Sequence, residues 1–121
     1  MSRVIEFEVD AEDSERAIRF YESVFGWRFN KLCGTSDCCL IKTVDHDKPG
    51  MNGGLMIRLN PRTNTVNTIE VPPIERFIDV VEENGGKVVT EKITIPGVGY
   101  LVYCQDTEGN AFGVFEADEA A

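Results

Sequence analysis

The sequence is poor in histidine, in positive charge and in long apolar segments. It has one histidine, 12 Lys and Arg against 21 Asp and Glu, and a formal net charge of -9. A negative protein repels phosphate backbones and anionic lipids, which argues against nucleic-acid and membrane-surface partners. No apolar run approaches the ~20 residues that cross a bilayer, and the opening MSRVIEFEVD has no signal-peptide core. We therefore expect a cytoplasmic protein without membrane contact.

Familiar metal-binding and disulfide patterns are also missing. The four cysteines are Cys33, Cys38, Cys39 and Cys104, and CGTSDCC has none of the usual zinc spacings and no neighbouring histidine. In a reducing compartment we interpret them as core or surface thiols, with a redox or metal role as the alternative. The histidine, His46, lies in the polar, turn-rich segment DHDKPG, where we expect it to be exposed.

The chain of 121 residues has enough apolar content, 42%, for one domain with a core, and its pattern divides into two similar halves. Each half gives a strand, an amphipathic helix and three further strands. In the first half these are VIEFEV, DSERAIRFYESVFG, WRFNKL, CCLIKT and GLMIRL. In the second half they are VNTIEV, PIERFIDVVEENGG, KVVTEKI, GYLVYC and AFGVFE.

The two helices have apolar residues at helical spacing. In the first helix, Asp13 or Ser14 can cap the start and Gly26 fits the left-handed end. Its apolar stripe consists of Ala17, Ile18, Tyr21, Val24 and Phe25. In the second helix, one face carries Ile74, Phe77, Ile78 and Val81.

The two halves also resemble each other in sequence, since EVDAEDSERAIRFYESVFGWRF aligns with EVPPIERFIDVVEENGGKVV. In both, a Glu-Val strand end leads into a helix that carries Glu-Arg and stops at glycine before another strand. One unit alone cannot bury both its strand face and its helix face, whereas two units together can. The sequence therefore indicates an internal duplication, with module one at 1–60 and module two at 61–121 of a single domain.

This duplication resembles the vicinal oxygen chelate superfamily, which includes glyoxalase I, bleomycin-resistance proteins and extradiol dioxygenases. The resemblance covers nearly the whole chain and is carried by SERAIRFYESVFGW, NGGLMIR and IPGVGYLVYCQDTEGNAFGVFE. The last segment is similar to the glyoxalase-like branch, with Thr107 where that branch has proline. The resemblance implies an α+β fold: two βαβββ modules form a curved mixed sheet around an open cup, with the helices outside.

In the enzymes of this superfamily, the cup holds a divalent metal that chelates two substrate oxygens and acts as a Lewis acid. Carried onto this chain, the ligand positions fall on Val4 or Glu6, near Leu55, on Val66 or Thr68, and on Gly113. Glu116 is an odd number of residues beyond Gly113, so it points to the opposite strand face, where we expect a solvated strand end. We expect no cofactor, with a divalent metal on Glu6, Glu8, Glu70 and waters as the alternative.

The cup retains polar residues that can bind or react without a metal. Glu6 and Glu70 are the candidate catalytic residues, because neighbouring carboxylates can raise one another's pKa and yield a general base. The alternatives are that Glu6, Glu8 and Glu70 bind a cationic ligand, or that they are solvated residues on an open sheet face. The candidate ligand-binding residues are Glu8, Arg58, Thr68 and Tyr103. Tyr100 points away from Tyr103 on the same strand, and one of the two should line the cup. Trp27 is either a core residue or a stacking platform.

The leading hypothesis is a glyoxalase-like or bleomycin-resistance-like protein that binds a small organic molecule, either as a non-metal lyase or isomerase or without catalysis. The alternatives are a metal-dependent lyase or dioxygenase with an atypical carboxylate site, and a non-catalytic interaction module. The resemblance also implies a homodimer.

Overall fold

The computed structural model describes residues 2–32, 35–57 and 65–121, and its architecture is α+β, as predicted. Two helices and nine strands follow in chain order: β1 Arg3–Ala11, α1 Ser14–Phe25, β2 Arg28–Leu32, β3 Thr35–Lys42, β4 Gly53–Ile57, β5 Thr65–Glu70, α2 Ile74–Glu83, β6 Lys87–Val88, β7 Ile93–Ile95, β8 Gly99–Gln105 and β9 Ala111–Ala117.

The chain divides into two compact units. The first unit is Glu6–Val66, and the second unit is Met1–Ile5 with Asn67–Ala121. The predicted module boundary at 60/61 lies in 58–64, outside the described residues.

The sheet of the first unit has the strand order β2-β3-β4-β1. The β1–β4 pairing is parallel, because the chain crosses over through α1, and the other pairings are antiparallel. The predicted mixed sheet is confirmed here. The start of β3 differs from the prediction, since Thr35–Asp37, taken from the sequence as loop, already belong to β3.

Helix α1 covers one face of that sheet and begins where the sequence predicts. Asp13 is the N-cap and accepts a hydrogen bond from the backbone N–H of Arg16 at 3.0 Å, while Gly26 ends the helix in the left-handed region at φ 72°. The core beneath the helix consists of Ala11, Ile18, Cys39, Ile41 and Leu55, with Phe7, Val9, Ala17, Trp27 and Phe29 packed around it.

The apolar stripe predicted for α1 is only partly buried. Ile18 lies in the core, whereas Val24 and Phe25, which the helical period also assigns to it, are exposed in the last turn. The helical spacing of these two residues with Ile18 therefore does not make them core residues.

The second unit repeats the pattern with strand order β5-β9-β8-β6, and β7 also pairs with β8. Its β5–β9 pairing is parallel, and the other pairings are antiparallel. Helix α2 packs on one face through Ile74, Phe77, Ile78 and Val81, as the sequence predicts.

The predicted strand KVVTEKI is divided into β6 and β7. Between them, the N–H groups of Val89 and Thr90 both point to the carbonyl oxygen of Tyr103, and the Thr90 hydroxyl accepts from the Tyr103 N–H. Val89 and Thr90 therefore oppose the single residue Tyr103 of β8, and this two-to-one pairing interrupts the strand hydrogen bonds as a β-bulge does.

Candidate functional site

Each unit has a sheet face that its own helix does not cover, which we call the helix-distal face. In the first unit, Phe7, Val9 and Ala11 of β1 contribute to the core under α1. Because side chains alternate along a strand, Glu6, Glu8 and Asp10 lie on the helix-distal face. Three carboxylates at every second position therefore make this face acidic.

These carboxylates are withdrawn from water to different extents. Glu8 is 5% exposed and Asp10 is 8% exposed. Burial raises the pKa of Glu6 above its ordinary value, because desolvation penalises the charged form. A carboxyl group with a raised pKa is easier to protonate near neutral pH, which is the property required of a general acid or base.

Residues from the neighbouring strands complete this face. Glu8 is in register with Gly54 on β4, which has no side chain, and Asp10 is in register with Met56. Asp10 was missed in the sequence analysis because β1 was ended at Val9. One further step of the same alternation would have found it.

We expect Glu6→Gln to increase the free energy of unfolding at pH 7 more than at pH 4. The raised pKa of Glu6 means that the folded state disfavours the charged carboxylate. Glu6 therefore costs no stability while it is protonated, below its pKa in the unfolded chain. The cost appears as the pH rises and is complete above the raised pKa of Glu6 in the folded chain. Glutamine cannot ionise, so the variant does not lose this stability as the pH rises.

Urea denaturation of both proteins between pH 3.5 and pH 8 measures this difference. Glu91→Gln serves as the control, because Glu91 is an exposed carboxylate and its replacement changes the charge by the same amount. A stability gain that stays constant over this pH range would contradict the prediction.

The second unit also presents polar groups on its helix-distal face. Thr68, Gly113 and Tyr103 are in register across β5, β9 and β8, and the next row consists of Glu70, Phe115 and Leu101. Thr68 and Tyr103 are both buried. The alternating residues Val102, Cys104 and Val114 belong to the core under α2.

The two tyrosines of β8 therefore have different roles. Tyr103 is on the helix-distal face, whereas Tyr100 packs at the edge of the α2 core. The Lys92 ammonium lies 4.5 Å from the centre of the Tyr100 ring and 3.0 Å from Glu75 Oε1. Tyr100 is thus occupied by a structural cation–π contact.

A cavity of about 770 Å³ opens in the second unit beside the start of α2. Its walls include Val71, Pro72 and Phe77, and its polar groups include Arg3, Glu70 and Glu116. Arg3 and Glu70 form an ion pair at 3.6 Å, with the Arg3 side chain largely in solvent. Such an exposed pair contributes little to stability.

Glu116 is not the solvated strand end predicted from the sequence. Its Oε1 accepts a hydrogen bond from the backbone N–H of Ile74 at 2.8 Å, so it caps the first residue of α2. The predicted orientation, opposite to Gly113, agrees with the strand alternation. The N–H groups at a helix start need an acceptor, and Pro73 at the N-cap provides no side-chain oxygen.

The predicted site residues are distributed over both units. Glu6 and Glu8 belong to the first unit, and Thr68, Glu70 and Tyr103 belong to the second. Arg58 lies outside the described residues. His46 is exposed, as predicted.

The described cysteines vary in exposure. Cys39 and Cys104 are buried and Cys38 is half-buried, while Cys33 lies outside the described residues. Burial, with a smaller effect of the Glu82 charge, raises the pKa of the Cys104 thiol to about 11. Cys104 therefore behaves as a core residue with little thiolate.

Two of the superfamily's metal-ligand positions hold residues that cannot coordinate a metal. Leu55 lies in the core under α1, and Gly113 has no side chain. A Cβ at Gly113 would already lie 3.3 Å from Leu101 and 3.5 Å from Thr68 Oγ1. Among residues 2–32, 35–57 and 65–121, no group of three His, Cys, Asp or Glu side chains is placed to hold an ion.

Neither helix in the described part of the chain combines the length and apolar character needed to cross a bilayer.

Comparison with known proteins gives one close sequence relative and a shared fold. The chain is 31% identical to a glyoxylase-like domain-containing protein of Didymella fabae, over 88% of each chain. A glyoxalase/bleomycin resistance protein/dioxygenase superfamily member from Vibrio splendidus 12B01 has the same fold, with TM-score 0.64, 16% identity and coverage of 96% of this chain and 99% of that one. Methylmalonyl-CoA epimerase from Mycobacterium tuberculosis gives TM-score 0.67 at 13% identity, covering 95% and 87%. No protein-family model matches the chain.

These findings identify a protein of the vicinal oxygen chelate superfamily, the superfamily that the repeated pattern resembles. The sequence relative places it more narrowly, and the chain belongs to the glyoxalase-like family.

Proposed function

We propose that this protein binds a small organic molecule through the carboxylates of β1, without the metal that the superfamily's enzymes use. The main support is the burial of Glu8 and Asp10 on the face that α1 does not cover. A carboxylate that is held away from water interacts strongly with a positively charged or hydrogen-bond-donating group that reaches it.

The ligand expected from this chemistry carries an amine, a guanidine or several N–H and O–H donors. Three carboxylates on one strand face attract such groups, and a chain of net charge -9 repels anionic competitors. Bleomycin-resistance proteins of this superfamily provide an analogy for binding without metal chemistry.

The test is a thermal-shift screen with small cationic and neutral organic compounds, followed by calorimetric titration of each hit. A ligand at 100 times its Kd stabilises the folded state by about 2.7 kcal/mol, which such a screen detects. We expect Glu8→Gln to weaken binding of a cationic hit by roughly tenfold or more. Glu91→Gln makes the same charge change at an exposed position outside the site and should leave binding unchanged.

Metal analysis separates this proposal from an atypical metal enzyme. The purified protein should contain less than one equivalent of divalent metal, and Mn²⁺, Fe²⁺, Zn²⁺ or Ni²⁺ should not raise its melting temperature. A stoichiometric ion that is lost in Glu6→Gln would favour the metal-dependent alternative. Equal affinity of wild type and Glu8→Gln for every hit would refute binding through β1.

A further inference from the structure

The cavity beside the start of α2 has no part in the function proposed for the β1 carboxylates. Its volume of about 770 Å³ falls within the range of roughly 300–1,000 Å³ that is typical of small-molecule sites. The described residues that line it all belong to the second unit, from Ser2 and Arg3 to Glu116 and Ala117. The cavity therefore exists within this unit alone.

The lining of this cavity carries a positive and a negative group side by side. Arg3 Nη2 and Glu70 Oε1 are 3.6 Å apart, which is too long for a hydrogen bond between them. The Arg3 side chain is 77% exposed and the Glu70 side chain 35%, so solvent reaches both. Because an exposed ion pair contributes little to stability, a ligand that separates these two charges loses little by doing so.

The third charged group of the lining, Glu116, restricts the charge of a ligand. Its Oε1 accepts the Ile74 N–H at 2.8 Å, so the positive end of α2 already has a carboxylate beside it. Two carboxylates and one guanidinium give the lining a net charge of -1, which opposes a ligand that is only anionic. A ligand that is only cationic would approach Glu70 against the repulsion of the adjacent Arg3. The lining therefore favours a ligand that carries both charges.

The rest of the lining is mainly apolar and is held by the core. Val71 is 2% exposed and belongs to the core under α2, and Phe77 packs against the same core. Pro72 lies next to Val71 and is also part of the wall. An apolar group of a ligand that covers these side chains is removed from water, and the Phe77 ring offers a large surface for that contact.

We propose that this cavity binds a free α-amino acid with a large apolar side chain. Such a molecule carries an ammonium and a carboxylate on the same carbon, so its two charges are close together, as those of Arg3 and Glu70 are. Its carboxylate faces the Arg3 guanidinium, whose planar fork of donors matches a carboxylate, and its ammonium faces Glu70. Its side chain lies on Pro72 and Phe77. One long ion pair within the protein is thereby exchanged for two with the ligand.

Calorimetric titration with L-phenylalanine and L-leucine as probes tests this proposal. We expect one molecule to bind per chain, and glycine, which has no side chain to cover the apolar wall, to bind much more weakly. Arg3→Gln and Glu70→Gln should each weaken the binding of L-phenylalanine by roughly fivefold or more. Arg28→Gln makes the same charge change as Arg3→Gln at an exposed position of the first unit and should leave the affinity unchanged.

Two analogues of phenylalanine assign each charge of the ligand to its partner. L-phenylalaninamide lacks the carboxylate, so it should bind more weakly than L-phenylalanine and equally to wild type and Arg3→Gln. N-acetyl-L-phenylalanine lacks the ammonium, so its weaker binding should not change in Glu70→Gln. These comparisons form double-mutant cycles between protein and ligand, which isolate the two contacts.

Three results would overturn the proposal. The first is the absence of binding of L-phenylalanine and L-leucine at millimolar concentrations. The second is an L-phenylalanine affinity that is the same in wild type, Arg3→Gln and Glu70→Gln. The third is binding that is lost in Glu8→Gln but kept in Arg3→Gln, because the amino acid would then occupy the β1 site instead of this cavity.

Discussion

Gly53→Ala should lower the free energy of unfolding by about 3 kcal/mol. Gly53 lies on β4 in register with Phe7 on β1. A Cβ at this position would come 2.4 Å from the Phe7 carbonyl oxygen and 2.9 Å from the Phe7 ring. The near atom is backbone, so the overlap is relieved only if the two strands separate.

This change also matters for the proposed site, because the β1–β4 pairing that begins at Phe7 holds Glu8 and Asp10 in place. Urea denaturation measures the loss of stability, and the melting temperature should fall by about 10 °C. Any ligand found in the screen should bind Gly53→Ala more weakly even at temperatures where the variant remains folded.

The adjacent glycine provides the control. Gly54 faces the helix-distal side, and a Cβ there would meet only the Cys39 carbonyl oxygen at 3.6 Å, an ordinary contact. Since alanine loses less conformational entropy than glycine on folding, Gly54→Ala should be neutral or stabilising by up to about 1 kcal/mol. Equal stability of the two variants would show that the close approach of β1 and β4 is not a constraint.

Glu116→Ala should lower the free energy of unfolding by about 1–2 kcal/mol, the typical effect of removing a helix N-cap. The Glu116 carboxylate accepts the Ile74 N–H at 2.8 Å in a partly buried position, and Pro73 provides no alternative side-chain acceptor. The negative charge is also favourable beside the positive end of the α2 macrodipole.

A series at this position separates the hydrogen bond from the charge. Glu116→Gln keeps an amide oxygen that can accept the Ile74 N–H but loses the charge, so its stability should fall between wild type and Glu116→Ala. Glu119→Ala, which removes an exposed carboxylate three residues further on, should change stability by less than about 0.5 kcal/mol. Hydrogen exchange at Ile74 gives a local measure, and unaltered protection in Glu116→Ala would contradict the capping role.

Much of the fold could be predicted because its signals are local. The N-cap at Asp13, the left-handed glycine at Gly26 and the core face of α2 follow from residues no more than a few positions apart. The alternation of β1 likewise assigned Glu6 and Glu8 to the face opposite Phe7. The duplication then indicated that both halves use the same arrangement of strands and helix.

The helix surfaces were harder to predict. The 3.6-residue period shows which side chains of α1 share a side of the helix, but not how much sheet lies beneath them. Val24 therefore looked like a core residue in the sequence, although it is exposed in the folded chain. Only the packing of the folded chain decides where the core ends and the exposed surface begins.

By itself, the sequence determined the order of the strands and helices, the face on which each β1 carboxylate lies, and the absence of good ligands at most of the superfamily's metal positions. The tertiary structure alone decided that Glu116 caps a helix that starts 42 residues earlier, and that Gly53 must lack a side chain. The physical reason is the distance along the chain over which each kind of interaction acts. Dihedral preferences, caps and side-chain alternation act within one or two turns of chain, whereas these two contacts exist only once distant strands and helices have been brought together.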